Sequence, residues 1–380
     1  MVVESHPKGH TQDEAEQVQD NRPSQVHTRT ATTGLPTWLD RDEVIHLRER
    51  ATDNAYPLPT AEVTELTIGS ASREKPSDIQ LVDPTGLLSR RHARLVRRGA
   101  AWLIEDTGSK NGTHQDGNRN PRFRIVPGVE VGVGGVTLLA ENQTQIDLRK
   151  YLKRVLGWDA ATLPAIDLAL SAIRTGAERQ APLVIAGDDD VVAIAYQIHR
   201  RTTAPSTPFI VCGPRRQTDA SLRVTATHAD PITALKHAAG GTICVRAEQP
   251  PDGLHQLMRM FREQSAPAQL IICAGETSQR TAIAASIFVP KLTRRPVADI
   301  HRIVVEYALD AISELRAELS SFSEADREQV AAHEAKAWAD IEVATLRIVA
   351  RKYAGSVHGA AEHLGLSHAG LGKWLKRRRT

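Results

Sequence analysis

Apolar positions change their spacing three times along the chain. Residues 1–36 are rich in His, Gln, Asp, Glu, Ser and Thr and hold almost no large apolar side chains. Such a stretch cannot bury enough surface to offset the entropy of ordering, so a disordered tail is expected over 1–40. From 41 to 142 the apolar residues come in short runs, at 44–47, 66–68, 78–81, 93–96 and 101–104, between clusters of Gly, Pro, Asp and Asn. Short strands with turn signals predict an all-β sandwich. From 151 to 310 four continuous apolar runs, 183–186, 209–212, 242–245 and 270–273, alternate with helical patterns at 191–201, 231–239 and 253–263. Strands without a polar face, alternating with helices, predict a parallel sheet covered on both sides. The remainder, 311–380, reads as all-α, with one long charged helix over 324–351.

Composition narrows the class. The 380 residues are 41% hydrophobic and 24% charged, an ordinary soluble balance; at about 100–200 residues per domain they make a multidomain chain. No apolar stretch reaches the roughly 18 residues of a membrane span, and the N-terminus lacks a secretory pattern, so no membrane partner is expected. Cys212, Cys244 and Cys273 each sit inside an apolar run and form no CxxC pair. Reduced core thiols in a cytoplasmic protein follow, with no metal or redox role. Net charge is +3, but residues 345–380 hold eight Lys and Arg against the single acid Glu362. That end carries +7 and the rest −4, which points to a polyanion at the C-terminus.

The β region concentrates its chemistry in loops. Ile68-Gly69, Asp78-Ile79-Gln80-Leu81, Ser89-Arg90-Arg91-His92-Ala93 and Asp106-Thr107-Gly108-Ser109-Lys110-Asn111-Gly112-Thr113 follow one another in order, with a later Gly117. A Ser hydroxyl, an Arg and a Lys can all donate to one phosphate, and a turn Asn can hydrogen-bond an extended backbone. The ordered set resembles the forkhead-associated (FHA) domain over about 41–142. The resemblance implies an eleven-stranded sandwich that binds phosphothreonine peptides at loop tips. Matched by position, Ser89 and Arg90 contact phosphate, Lys110 lies beside it, Asn111 holds the peptide backbone, and His92 is the buried pin of the loop. One position departs: the family places Arg after the glycine, a principal phosphate ligand, where this chain has Ser70. Arg73 or Lys75 in the following loop could replace it, or affinity is lower. The loss of one charge-assisted bond, about 1.5–3 kcal/mol, corresponds to one or two decades. A fold that only mediates protein contacts is the alternative. Thr28, Thr30, Thr32 and Thr33 in the tail are candidate phosphosites for self-binding; an unmodified solubilising tail is the plainer expectation.

The central region resembles the AAA+ domain of NtrC-type transcriptional activators over about 160–310. The matching pieces are the strand ending at Gly187, Ile198-His199-Arg200, Pro208-Phe209, Ala239-Gly240-Gly241-Thr242 and Arg294-Arg295 followed by Asp299-Ile300. Its chemistry is missing. A phosphate-cradling loop needs several Gly and a Lys, whereas Gly187-Asp188-Asp189-Asp190-Val191-Val192 has one Gly, no Lys and three carboxylates. The acidic pair expected after Gly-Gly-Thr is replaced by Arg246-Ala247. No ATP hydrolysis is therefore expected, and no enzyme activity, cofactor or metal is implied. Asp188–190 as a metal site is the alternative to a solvated turn or helix start.

At the C-terminus, Ala360, Ala361 and Leu364 precede Gly365, Leu366 plugs a turn, and Ser367 caps a second helix. Leu371, Trp374 and Leu375 fall on its inner face. Ser367, His368, Ala369, Lys373, Lys376 and Arg377 are left outward for duplex DNA. This is similar to the Fis-type helix-turn-helix that ends NtrC-type activators, a module that usually pairs, so a homodimer is expected, with the 324–351 helix as a candidate surface. The order of the three regions implies a cytoplasmic DNA-binding transcriptional regulator. Its partners are double-stranded DNA and a phosphothreonine protein linked to a Ser/Thr kinase. Two alternatives stand beside it. One is a phosphopeptide adaptor with vestigial DNA binding, and the other is an ATP-dependent activator of enhancer-dependent polymerase.

Overall fold

The computed structural model describes residues 43–59, 62–72, 76–187, 191–213, 226–263, 266–275 and 285–377. Thr28, Thr30, Thr32, Thr33, Arg73, Lys75, Asp188, Asp189, Asp190, Arg378 and Arg379 lie outside them.

The β region forms two sheets. One runs β2 (Ala55–Pro57), β1 (His46–Glu49), β11 (Val136–Glu141), β10 (Glu130–Val133), β7 (Thr113–Gln115), β8 (Asn118–Arg119). The other runs β4 (Ile79–Leu81), β3 (Glu65–Ser70), β5 (Ala93–Arg98), β6 (Ala101–Asp106), β9 (Arg122–Ile125). These are eleven strands among the described residues. Alternation decides what faces in: Phe123 and Ile125 on β9, Val131 and Val133 on β10, Ala93 and Leu95 on β5 are buried while their neighbours look outward. Trp102, Leu47, Leu95, Ile104 and Leu138 close the core.

The second sheet system is parallel throughout, in the order β14 (Ala226–His228), β13 (Phe209–Cys212), β15 (Thr242–Arg246), β16 (Gln269–Ala274), β12 (Leu183–Gly187), β17 (Ala285–Val289). One face is covered by α1 (Gln143–Leu156), α2 (Leu163–Arg179) and α3 (Val192–Thr202). The other is covered by α4 (Pro231–His237) and α5 (Leu254–Arg262). Burial on both faces explains the unbroken apolar runs of β13 and β15. Sequence spacing predicted four strands; among the described residues the sheet has six. β14 is three residues long, and β17 is an edge strand whose Phe288 is 52% exposed, so neither shows a buried-strand pattern.

The helical end holds α6 (Val297–Leu315), α7 (Glu324–His333), α8 (Trp338–Tyr353), α9 (Val357–His363) and α10 (His368–Arg377). The single helix expected over 324–351 is two. Ser323 starts α7 with a capping box, and the chain breaks after His333 so that Trp338, fully buried, can enter the core at the start of α8. The apolar face of α8, from Trp338 through Ile348, joins the core of the α/β unit and packs on α6. That apolar face is thus covered within the chain. The boundary expected at 310 falls inside α6. No single described helix is long and apolar enough to cross a membrane.

No linker separates the sandwich from the α/β unit. Asn142 follows β11 and caps α1: its Oδ1 accepts from the Gln145 amide at 2.9 Å, and Gln145 Oε1 accepts from the Asn142 amide at 3.1 Å. Arg48 on β1 sits between Glu141 on β11, at 2.8 Å, and Asp167 on α2, at 2.7 Å. Asp167 also accepts from the Ala51 amide at 2.7 Å.

Candidate functional site: the loop end of the sandwich

The site is built around a buried imidazole. His92 is fully enclosed and ties two loops together. Its Nδ1 accepts from the Ser89 amide at 3.2 Å, and its Nε2 donates to the Gly112 carbonyl at 3.0 Å. An amide on one nitrogen and a carbonyl on the other are both satisfied by the Nε2–H tautomer. The two loops that carry Ser89-Arg90 and Lys110-Asn111 are thereby locked side by side.

Each predicted residue then has a defined place. Ser89 Oγ accepts from the Lys110 amide at 3.3 Å, which leaves its O–H proton for an incoming anion. Asn111 donates one Nδ2 hydrogen to the Leu87 carbonyl at 2.7 Å, leaving its Oδ1 and second N–H for another backbone. Arg90 and Lys110 are exposed. Ser70 ends β3, and its amide donates to the Ser89 carbonyl at 3.1 Å, so the position where the family carries Arg lies at this site. Gly69 is required by close approach: a Cβ there would stand 1.9 Å from the Arg90 carbonyl oxygen. Ser77 Oγ donates to that same carbonyl at 3.2 Å.

Two carboxylates hold the loops without entering the site. Asp106 accepts from the Ser109 hydroxyl at 2.6 Å and from the Gly108 and Ser109 amides at 2.8 Å. Burial pushes its carboxyl up, but these bonds outweigh it and hold the group below the usual range. Asp83 accepts from the Thr85 hydroxyl and from the amides of Gly135, Thr85 and Leu88, which hold it down at about 2. That bonding fixes the loop from β4 to Leu88.

Charge is distributed unevenly over the sandwich. Arg50, Arg94, Arg97 and Arg122 each meet a glutamate. Arg90, Arg91, Lys110 and Arg119, all exposed, have no such partner among the described residues, and neither have Arg98 and Arg124 elsewhere on the sandwich. Arg119 escaped the sequence reading, although the signal was present. Asp116-Gly117, at φ 48° and 82°, is a two-residue hairpin turn that brings Arg119 back opposite His114 and beside Gly112.

A second cluster lies at the C-terminus. Ser356 caps α9 by accepting from the Gly359 amide at 3.0 Å, and Ser367 caps α10 by accepting from the Gly370 amide at 3.1 Å. The Leu366 amide donates to the Ala361 carbonyl at 2.8 Å and closes the turn between them. Ala360, Ala361 and Leu371 are buried against Ala350 of α8, and Arg347 stacks over the Trp374 ring at 5.2 Å. Ser367, His368, Ala369, Lys373, Lys376 and Arg377 all remain exposed. No group of three or more His, Cys, Asp or Glu residues suited to a metal occurs among the described residues.

The family model of the FHA domain matches residues 66–134. The FHA domain-containing protein FhaB of Mycobacterium tuberculosis is 40% identical over 72 residues, 19% of this chain and 42% of that protein. FhaB of Mycolicibacterium smegmatis is 36% identical over 90 residues, 23% of this chain and 52% of the relative. The chain thus spans about half the length, or less, of the curated relatives it matches. Among solved structures, Mycobacterium tuberculosis EmbR in complex with a low-affinity phosphopeptide is 26% identical over 26% of this chain and 24% of that one, with a TM-score of 0.22. An FHA domain from Chlamydia trachomatis is 26% identical over 26% of this chain and 95% of its own, also at 0.22. This chain carries an FHA domain.

Proposed function

We propose that the chain reads a phosphothreonine peptide at the loop end of its FHA domain and relays that input to duplex DNA through α9 and α10. One observation carries the first half. The Ser89–His92–Gly112 bridge holds a hydroxyl donor and Asn111 side by side, in the two loops that also carry Arg90 and Lys110, both exposed and without an acidic partner among the described residues. A phosphate satisfies the donors and the charge together, and Asn111 takes the backbone of its peptide. A Ser/Thr kinase supplies the modification. Binding of the whole chain to a degenerate phosphothreonine library tests this, with unphosphorylated and phosphoserine libraries as controls. Selective capture of the phosphothreonine library is expected; equal capture of all three contradicts it.

The second half is favoured by one specific observation. The outward face of α10 presents Lys373, Lys376 and Arg377 in a segment with a single acid, and its apolar side is anchored by Leu371 and Trp374. The remainder resembles an AAA+ core with its nucleotide chemistry lost, and in this reading it is a scaffold, not an enzyme. Support comes from the one-glycine, lysine-free loop after β12 and from Arg246-Ala247 at the end of β15. The site of action is the cytoplasm. Absence of salt-dependent duplex binding would leave a phosphopeptide adaptor.

A further inference from the structure

A cleft of about 650 Å3 opens between α1, α3 and α6, a volume in the range of small-molecule sites. None of its lining residues belongs to the loop end of the sandwich or to α9 and α10. Its walls are charged and aromatic. Tyr151 of α1 is enclosed and lines the cleft, with the Arg201 guanidinium 4.3 Å and the Arg154 guanidinium 5.5 Å from the centre of its ring. Arg302 stands over the Trp158 ring in the same way, at 4.2 Å. One guanidinium from each of the three helices is thus held in place by an aromatic face. Their acidic partners are shared. Arg154 and Arg201 both meet Asp310, at 2.7 and 2.9 Å, and Arg154 and Arg302 both meet Glu306, at 2.9 and 3.4 Å. Arg200 meets Glu314 at 2.9 Å through one arm of its fork. With Lys150 beside Asp147, the lining holds five cations against four carboxylates.

We infer that this cleft binds a small molecule carrying two or more oxyanionic groups, phosphates or carboxylates. A guanidinium has five N–H donors in a fixed fork. Arginines that share a carboxylate keep donors and charge that an incoming oxyanion satisfies in bidentate fashion. Stacking on Tyr151 and Trp158 orients the forks in advance, so little side-chain freedom is lost on binding. The cations come from three helices, and a ligand with several anionic groups reaches them together. The position gives such a ligand leverage. α1 follows the sandwich without a linker, and α6 ends at Leu315, which packs against the core of α9 and α10. The inference is independent of the phosphothreonine reading.

The test is calorimetric titration of the full chain with tripolyphosphate and with citrate, and with sulfate at equal ionic strength as the single-group control. Saturable binding of one equivalent of tripolyphosphate or citrate is expected, at least roughly tenfold tighter than sulfate, the size of one further charge-assisted contact. Binding in the tripolyphosphate arm alone identifies a phosphorylated ligand; binding in the citrate arm alone identifies a polycarboxylate. Arg200→Gln and Arg302→Gln change side chains that are 39% and 56% exposed, so both variants are expected to fold, with circular dichroism spectra like the wild type. Each is expected to bind about tenfold more weakly. Ser89→Ala and Lys373→Ala are expected to bind like the wild type, since neither residue lines the cleft. No saturable binding of either probe up to millimolar concentration overturns the inference, as does sulfate binding equally well. So does binding that survives in both arginine variants, or that is lost in Ser89→Ala or Lys373→Ala, which would place the anion at the loop end of the sandwich or on α10.

Discussion

Arg48 on the sandwich and Asp167 on the second helix of the α/β unit meet at 2.7 Å with side chains only 2% and 4% exposed. Glu141, at 3%, accepts from the same guanidinium. Burial pushes the Glu141 carboxyl up, but bonds from His46 and Arg48 outweigh it and hold the group below its ordinary range. The FHA sandwich is thus joined to the rest of the chain through a sealed charge cluster and not through a linker.

Removing one member of such a cluster leaves an uncompensated buried charge. Arg48→Ala is expected to cost about 3–5 kcal/mol. Asp167→Ala is expected to cost a similar amount, and the double variant less than the sum. Urea unfolding of the three variants measures this. Additive costs would show that the residues do not act together.

His199 near the end of α3 makes stability depend on acid. Burial pushes its imidazole down to about 4 from 6.5. Its Nδ1 accepts from the Thr242 hydroxyl at 2.8 Å and its Nε2 donates to the Thr207 carbonyl at 3.1 Å. Between pH 4 and 6.5 the unfolded chain binds a proton that the folded chain does not. Stability therefore falls as pH is lowered through that window, by up to about 3 kcal/mol from this group. Thermal unfolding of His199→Gln should show a shallower decline over that range than the wild type. Parallel declines would assign the acid sensitivity to other groups.

The thiols should be silent in the native state. Cys212, Cys244 and Cys273 are all buried, and burial pushes Cys212 up to about 11. Ellman's reagent at neutral pH is expected to modify none of them until denaturant is added, and then all three. Rapid native labelling would contradict the packing described for β13, β15 and β16.

Lys373 and the basic end of α10 make a prediction about salt. Lys373→Ala is expected to weaken duplex binding and to lower the slope of log affinity against log salt by about one. An unchanged slope would show that Lys373 does not meet phosphate.

Much of the fold was legible because burial pattern and spacing agree. Alternation on β5, β9 and β10, and unbroken apolar runs on β13 and β15, follow from one-sided and two-sided burial. The edge strands β14 and β17 were not legible, since an edge removes the apolar pattern that marks a buried strand. The break between α7 and α8 was hidden because Ala-rich charged sequence favours helix on both sides. It is the demand of Trp338 for the core that interrupts it. At the site, Ser89, His92 and Asn111 stood out by order and spacing. Arg119 depended on reading the Asp116-Gly117 turn as a hairpin and following the chain back.

Ser70 bears directly on affinity. The family's Arg at this position contributes a charge-assisted bond, so Ser70→Arg is expected to tighten phosphothreonine binding by about one to two decades. Calorimetric titration with one selected peptide reads this. No gain would mean that another cation already fills the role.

The most direct measurement is the dissociation constant of one selected phosphothreonine peptide for wild type and Ser89→Ala, beside the same peptide unphosphorylated. In the proposed reading the Ser89 hydroxyl donates to the phosphate, so at least a tenfold loss in Ser89→Ala is expected. No measurable binding of the unphosphorylated peptide is expected to either protein. Equal affinity of both proteins for the phosphopeptide, or equal affinity of the wild type for both peptides, would contradict the phosphothreonine reading.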